Sequence, residues 1–167
     1  GNETGIVAIS GVSGADAAED GTQSVTITIT ENESSPTVTL ATSATSIAEN
    51  SGSTLTLTAT ISQAADEDVT VNLGAAGTST NGTDYGSISS ITVSAGATTG
   101  TATFDPTDDS VYEGSETAVI SISSVSGGDA AESGSQSVTI TITDNESAPT
   151  VTLAVSATSI AENAGSS

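Results

Sequence analysis

The chain contains no lysine, arginine, histidine, cysteine, methionine or tryptophan. Each absence closes a class of chemistry. Without Cys, His or Lys there is no thiol nucleophile, imidazole base or Schiff-base amine, and serine hydroxyls have no basic partner to activate them. Without Cys and His there are no disulfides and none of the usual zinc sites, which leaves oxygen ligation of a hard cation, Ca²⁺ foremost. Without Lys, no Lys–Asn isopeptide cross-link forms. A chain with no cationic side chain displaces no counterions from phosphate, so nucleic acid is excluded as a partner and an anionic membrane surface is disfavoured. No apolar run approaches the roughly 18 residues of a membrane span, so no membrane insertion is expected in this segment. Neither an initiator Met nor a leader opens the chain, and its first residue is expected not to be a native start.

What remains is acid and hydroxyl. The 167 residues carry 21 Asp and Glu for a formal charge of −21, with 30 Thr, 29 Ser and 17 Gly, and the only aromatics are Tyr85, Phe104 and Tyr112. Such a composition resembles a disordered low-complexity tract. The order of the residues argues for a fold.

Gly1 to Ser35 realigns without gaps on Gly114 to Ala148, with 24 of 35 positions identical, and Pro36 to Thr54 realigns on Pro149 to Ser167 with 16 of 19 identical. Both matches are shifts of 113 residues. The sequence therefore divides into the C-terminal part of one repeat (1–35, its last two strands), a complete repeat (36–148) and the N-terminal part of a third (149–167, its first strand). The two fragments hold 54 residues between them, too few to close a second domain of this kind. The chain reads as a window on a longer tandem array.

Alternation of period two dominates the complete repeat. Thr54 to Ile61 and Ser137 to Thr143 place aliphatics on one face and hydroxyls on the other, as expected of antiparallel strands with one wet face. Further strands are expected at Thr37 to Leu40 with Ser46 to Ala48, Val69 to Leu73, Ser87 to Val93, Thr99 to Phe104 and Glu116 to Ser123. Seven short strands separated by Gly, Asn and Asp predict an all-β fold of tandem antiparallel β-sandwiches, with Val38, Leu40, Leu57, Val71, Ile91, Phe104, Ile120 and Ile140 among the inward residues. Small side chains leave this core a modest margin, so a further staple is expected from the carboxylates.

The acids cluster. Asp105 to Glu116 carries five carboxylates in twelve residues, between two expected strands, and like charges at that density repel unless a cation joins them. Glu49 in Ser46-Ile47-Ala48-Glu49-Asn50, Asp84-Tyr85 after Gly82-Thr83, the run Asp108 to Glu116, and Thr143-Asp144-Asn145-Glu146 resemble, in order and spacing, the Calx-β domain, which is similar to the calcium-binding units of sodium/calcium exchangers and recurs in large surface and adhesion proteins. The resemblance covers the whole repeat and both fragments. It implies a seven-stranded Ig-like sandwich with Ca²⁺ at one end, held by Glu49, Asp84, Asp108, Asp109, Glu113, Glu116 and Asp144. The family's last motif is usually a run of Asp; here it reads Asp144-Asn145-Glu146, one charge fewer.

Strand arithmetic supports the same grouping. If seven strands alternate up and down, Glu49, Asp84, the Asp105 to Glu116 loop and Asp144 all lie at the pole that faces the next repeat. Asp66 to Asp68 and Asp129 to Glu132 then lie at the opposite pole, facing Glu31-Asn32-Glu33 of the preceding one. Each junction sets acid against acid, mobile without cations and clamped by Ca²⁺ with its six to eight oxygen ligands.

Four Asn-X-Ser/Thr sequons, at Asn2, Asn32, Asn81 and Asn145, are expected by chance in a chain this rich in hydroxyls. Tyr85 and Tyr112 are expected to pack beside the acidic loops, and Phe104 in the core. The sequence points to a structural, non-enzymatic repeat of an extracellular or cell-surface fibre or adhesin stalk, whose partners are neighbouring repeats and other copies of itself. The alternative is a calcium-dependent glycan- or protein-binding adhesion module. A carboxylate-only glycosidase lacks the aromatic surface that a sugar cleft needs.

Overall fold

A computed structural model describes residues 2–159 and 161–162. The strands are β1 (Glu3–Ala8), β2 (Ser24–Ile29), β3 (Thr37–Thr42), β4 (Ser46–Ala48), β5 (Leu55–Ile61), β6 (Val69–Gly77), β7 (Ser90–Val93), β8 (Thr99–Phe104), β9 (Glu116–Ser126), β10 (Ala131–Glu132) and β11 (Ser137–Thr143), with one short 3₁₀ turn at Glu49–Ser51. No described helix is long and apolar enough to cross a membrane.

β3 to β11 form a sandwich. One sheet runs β10-β3-β5-β8, and the other β4-β11-β9-β6-β7. Alternation decides which side chains meet between them: Leu55, Leu57, Ala59 and Ile61 of β5 are buried while Thr56 and Thr60 are exposed. Val38, Val71, Ile91, Ile120 and Ile140 complete the layer, and the Tyr85 ring stacks on Phe104 with centroids 4.6 Å apart. Leu73 and Val138 are only partly buried against this core. Glycine lets two close approaches happen. A side chain at Gly100 would overlap the Thr92 carbonyl, so its absence lets β8 close against β7 across the two sheets, and Gly127, at φ +89°, turns the chain against the Asp68 carbonyl.

The fold differs from the sequence expectation in four respects. β6 and β9 run on to Gly77 and Ser126 because they pair with each other along almost their whole length. Two edge pairings are parallel, β4 with β11 and β10 with β3, because the first strand switches sheets after Thr42 and its second piece lands beside the last strand. The strand expected to open a third repeat does not form among the described residues of 149–162. Its counterpart β3 is held by β5 and β10, and the fragment has no equivalent of either. Finally, Tyr112 is 46 % exposed, not packed.

The tail fragment does form its hairpin. β1 and β2 pair from Glu3↔Ile29 to Ala8↔Ser24, and adding 113 to every number reproduces the β9–β11 register from Glu116↔Ile142 to Ser121↔Ser137.

Candidate metal centre

The pole where β4 and β11 end gathers the acids. Because Ala48 lies opposite Thr143 in the parallel ladder, the residues that follow, Glu49 and Asp144, leave the sheet side by side. The Asn145 N–H donates to Glu49 Oε1 at 3.3 Å, and the Thr143 hydroxyl to the Ile47 carbonyl at 3.2 Å.

Asp84 comes from the loop between β6 and β7, which is locked from both sides. The Thr80 N–H donates to Asp84 Oδ2 at 2.6 Å, and the Asn81 amide both donates to the Ile88 carbonyl and accepts from its N–H. That use of the Asn81 side chain ties up the sequon there. The same loop is zipped to the one after β8 by Gly86 N–H to the Asp105 carbonyl at 2.8 Å and Thr107 N–H to the Asp84 carbonyl at 2.9 Å. The buried Tyr85 between these bonds anchors the zipper through its stack on Phe104.

The loop from Asp105 to Ser115 then folds over the pole. Asp109 Oδ1 accepts the Val111 N–H at 2.7 Å, the pattern of an Asx turn. Asp144 receives three backbone donors, Glu113 and Gly114 N–H on Oδ2 and Glu146 N–H on Oδ1, each at 2.6 Å. Asp144 therefore fastens the loop to the exit of β11. Burial works against its charge, yet these donors hold its carboxyl below the usual Asp range.

All seven residues assigned from the resemblance reach this pole, but they divide. Glu49, Asp108 and Glu146 bring carboxylate oxygens within 4.8 Å of one another, and Asp84, Glu113 and Glu116 form a second such trio. Asp109 and Asp144 line the small cavity of about 10 Å³ between them, beside Glu49, Asp84, Glu113 and Glu116. Glu146 is the residue that sequence reasoning missed. Its signal was the i, i+2 spacing from Asp144, which in extended chain puts both side chains on one face.

The electrostatics record the crowding. Burial, then hydrogen bonds that the protonated Glu146 carboxyl donates to Glu49 and Asp144, push it up to about 7. Burial and the charge of Asp84 also raise Glu113 and Glu116. Glu146 Oε2 is buried with no hydrogen-bond partner. With no cation anywhere in the sequence to neutralise them, two oxygen-only trios and an orphaned carboxylate oxygen suit a hard divalent ion.

The opposite pole is acidic too. A cleft of about 520 Å³ separates Glu3, Glu31 and Glu33 of the hairpin from Asp66, Glu67 and Asp129 of the sandwich. Gln63 Nε2 donates to the Ser34 carbonyl across it, at 2.5 Å. By the 113-residue shift, Glu3, Glu31 and Glu33 occupy the positions of Glu116, Asp144 and Glu146.

The sandwich is similar to the solved apo-form Calx CBD1 domain, with a TM-score of 0.52 and 17 % identity over 67 % of this chain and 99 % of that one. The solved CBD12 from CALX1.2 aligns at a TM-score of 0.48 and 20 % identity, over 58 % of this chain and 39 % of that one. The first likeness establishes a Calx-β-like sandwich fold. No curated protein matches the sequence. The family model that does match describes the LapA domain, over residues 35–145. Since those residues are the sandwich and all of its acidic pole except Glu146, the chain belongs to the LapA domain family.

Proposed function

We propose that this chain is a structural repeat of an extracellular fibre or adhesin stalk, in which Ca²⁺ at acidic junctions stiffens a tandem array. One observation carries the reading: the counterparts of the metal-pole residues that precede the sandwich face a second set of acids across the 520 Å³ cleft, and the sequence holds no cationic side chain to balance either. On this reading residues 1–35, 36–148 and 149–167 belong to three successive sandwiches. Their partners are the neighbouring repeats and other copies of the chain.

The two trios would hold the ions, with Glu49, Asp108 and Glu146 in one and Asp84, Glu113 and Glu116 in the other. Asp144 and Asp109 would order the loop around them. A bound Ca²⁺ supplies positive charge and multidentate oxygen coordination. Glu49, Glu116 and Glu146 are half-buried while Asp108 and Glu113 are exposed, a degree of openness that suits the roughly 10⁻⁴–10⁻³ M affinities of extracellular modules.

The test is the shape of three tandem 113-residue repeats. Small-angle scattering in calcium should give a rod of about 35–45 Å per repeat, from strand length plus linker, and chelation should shorten and broaden the distance distribution. An unchanged distribution would mean joints made rigid by packing alone. A second reading, a calcium-dependent glycan- or protein-binding module, is favoured by Val111 and Tyr112, which stand exposed at the tip of the acidic loop. A glycan array comparing the chain with its Tyr112→Ser variant separates the two.

A further inference from the structure

Charge in this molecule is confined to the ends of the sandwich. The acids of residues 36–146 fall in the polar loops, at the first residue of β9 and in the two-residue β10, and the outward faces of the longer strands carry none. The wall formed by β3, β5 and β8 is the more regular of the two. Its registers set Thr39, Thr60 and Thr99 in one row, Thr58 and Thr101 in a second, and Thr56 and Thr103 in a third. All are exposed except the half-exposed Thr58. The opposite wall is broken by a register shift at Asn72/Leu73 and mixes Gly, Ala, Val, Asn and Ser with its threonines.

We propose that the threonine wall of β3, β5 and β8 is a lateral docking face for the same wall of a second copy. The occupant follows from charge. A chain at −21 with no cationic side chain repels its own copies wherever carboxylates would meet, and this wall removes that penalty. Threonine hydroxyls both donate and accept, so two identical walls related by a two-fold axis are complementary without opposite charges. Their methyl groups add apolar contact, and two sheets of the same twist pack face to face at a modest angle. A wall three strands wide and about six residues long covers about 300 Å², well under the roughly 800 Å² per partner of a stable interface. Single chains should therefore pair weakly. Arrays gain by repetition along their length, so the inference deepens the fibre reading with side-by-side bundling.

The test is run on the 167-residue chain in chelator, so its failure is distinguishable from failure of the calcium reading. Sedimentation velocity at high ionic strength, where screening shortens to a few ångströms, should show a concentration-dependent dimer that recedes at low salt. Thr56→Asp with Thr101→Asp should weaken it at least about tenfold through like charges brought together, while Thr139→Asp on the other wall leaves it unchanged. If the double variant loses its melting transition, Thr101→Glu alone on the edge strand gives the same reading. A monomer at all concentrations overturns the proposal. So does equal weakening by Thr139→Asp, or loss through Ile27→Asp with the wall variants inert, which would assign pairing to the hairpin's apolar face.

Discussion

β1–β2 and β9–β11 pair in the same register, with β2 identical to the matching part of β11 and β1 sharing two of six residues with β9, and they differ in what covers them. Ile27 is 52 % exposed and its counterpart Ile140 is fully buried. Pairing therefore follows from alternation and turn chemistry within some thirty residues, whereas burial depends on a second sheet that only the complete repeat possesses. The other fragment shows the converse. Leu153 is 95 % exposed where Leu40 is 7 %, and no strand forms around it, because β3 borrows its hydrogen bonds from distant strands.

The largest expected effect tests that contrast directly. Ile140→Ala should destabilise the sandwich by about 2–5 kcal/mol, the usual loss for a buried aliphatic, and Ile27→Ala should change the main melting transition by no more than about 0.5 kcal/mol. Comparable effects in chemical denaturation would mean that the hairpin is covered after all.

Calcium should sharpen the difference next. The sandwich has both carboxylate trios, and the segment before it has only two of the six corresponding positions, Glu3 and Glu33. Saturating Ca²⁺ should raise the stability of residues 36–146 by about 2.7 kcal/mol at a hundredfold excess over Kd, with thermolysin protection confined to them. Asp108→Asn with Asp109→Asn should abolish most of that gain. Asp66→Asn with Glu67→Gln, which removes the same charge at the other pole, should preserve it. Equal losses in calorimetric titration would reduce the effect to bulk electrostatics.

The smallest effect is on pH. A carboxyl raised to about 7 in the folded state stabilises fully below its unfolded value near 4.5, and that contribution is lost as pH rises through 7. In chelator the sandwich should therefore melt higher at pH 5 than at pH 8. Asp144 acts in the opposite sense only below its ordinary value of 3.8, outside this window. Glu146→Gln should flatten the profile. Glu33→Gln should do so less, since the Glu33 carboxyl is raised chiefly by its hydrogen bond with Glu31 at an exposed site. With Ca²⁺ present the slope should reverse, because protons then compete with the ion. A flat profile in chelator would remove Glu146 from the site.

Much of this was legible in residue order. Alternating Thr and aliphatic residues located the strands from β3 to β11 apart from the two-residue β10, and counting them put Glu49, Asp84, the Asp105 to Glu116 loop and Asp144 at one pole. The division of labour there was not legible. Nothing in the sequence distinguishes Asp144, engaged by three backbone donors, from Glu146, whose buried oxygen has none. That difference arises from how the loop after β8 wraps the exit of β11. The parallel edge pairings were equally hidden, since they depend on where the chain lands after leaving the first sheet.

The parallel pairing of β4 with β11 has a mechanical consequence. The first and last strands of the sandwich lie side by side and point the same way, from Ser46↔Thr141 to Ala48↔Thr143. Once β3 is drawn off its own sheet, tension along the chain pulls β4 backwards and β11 forwards. The ladder between them is then loaded in shear, with its bonds resisting together, whereas a hairpin pulled from its open end would unzip them one at a time. Forced rupture is governed by the unfolding rate, not by equilibrium stability. Resistance to such a pull would then rest on this ladder and not only on the modest core of small side chains.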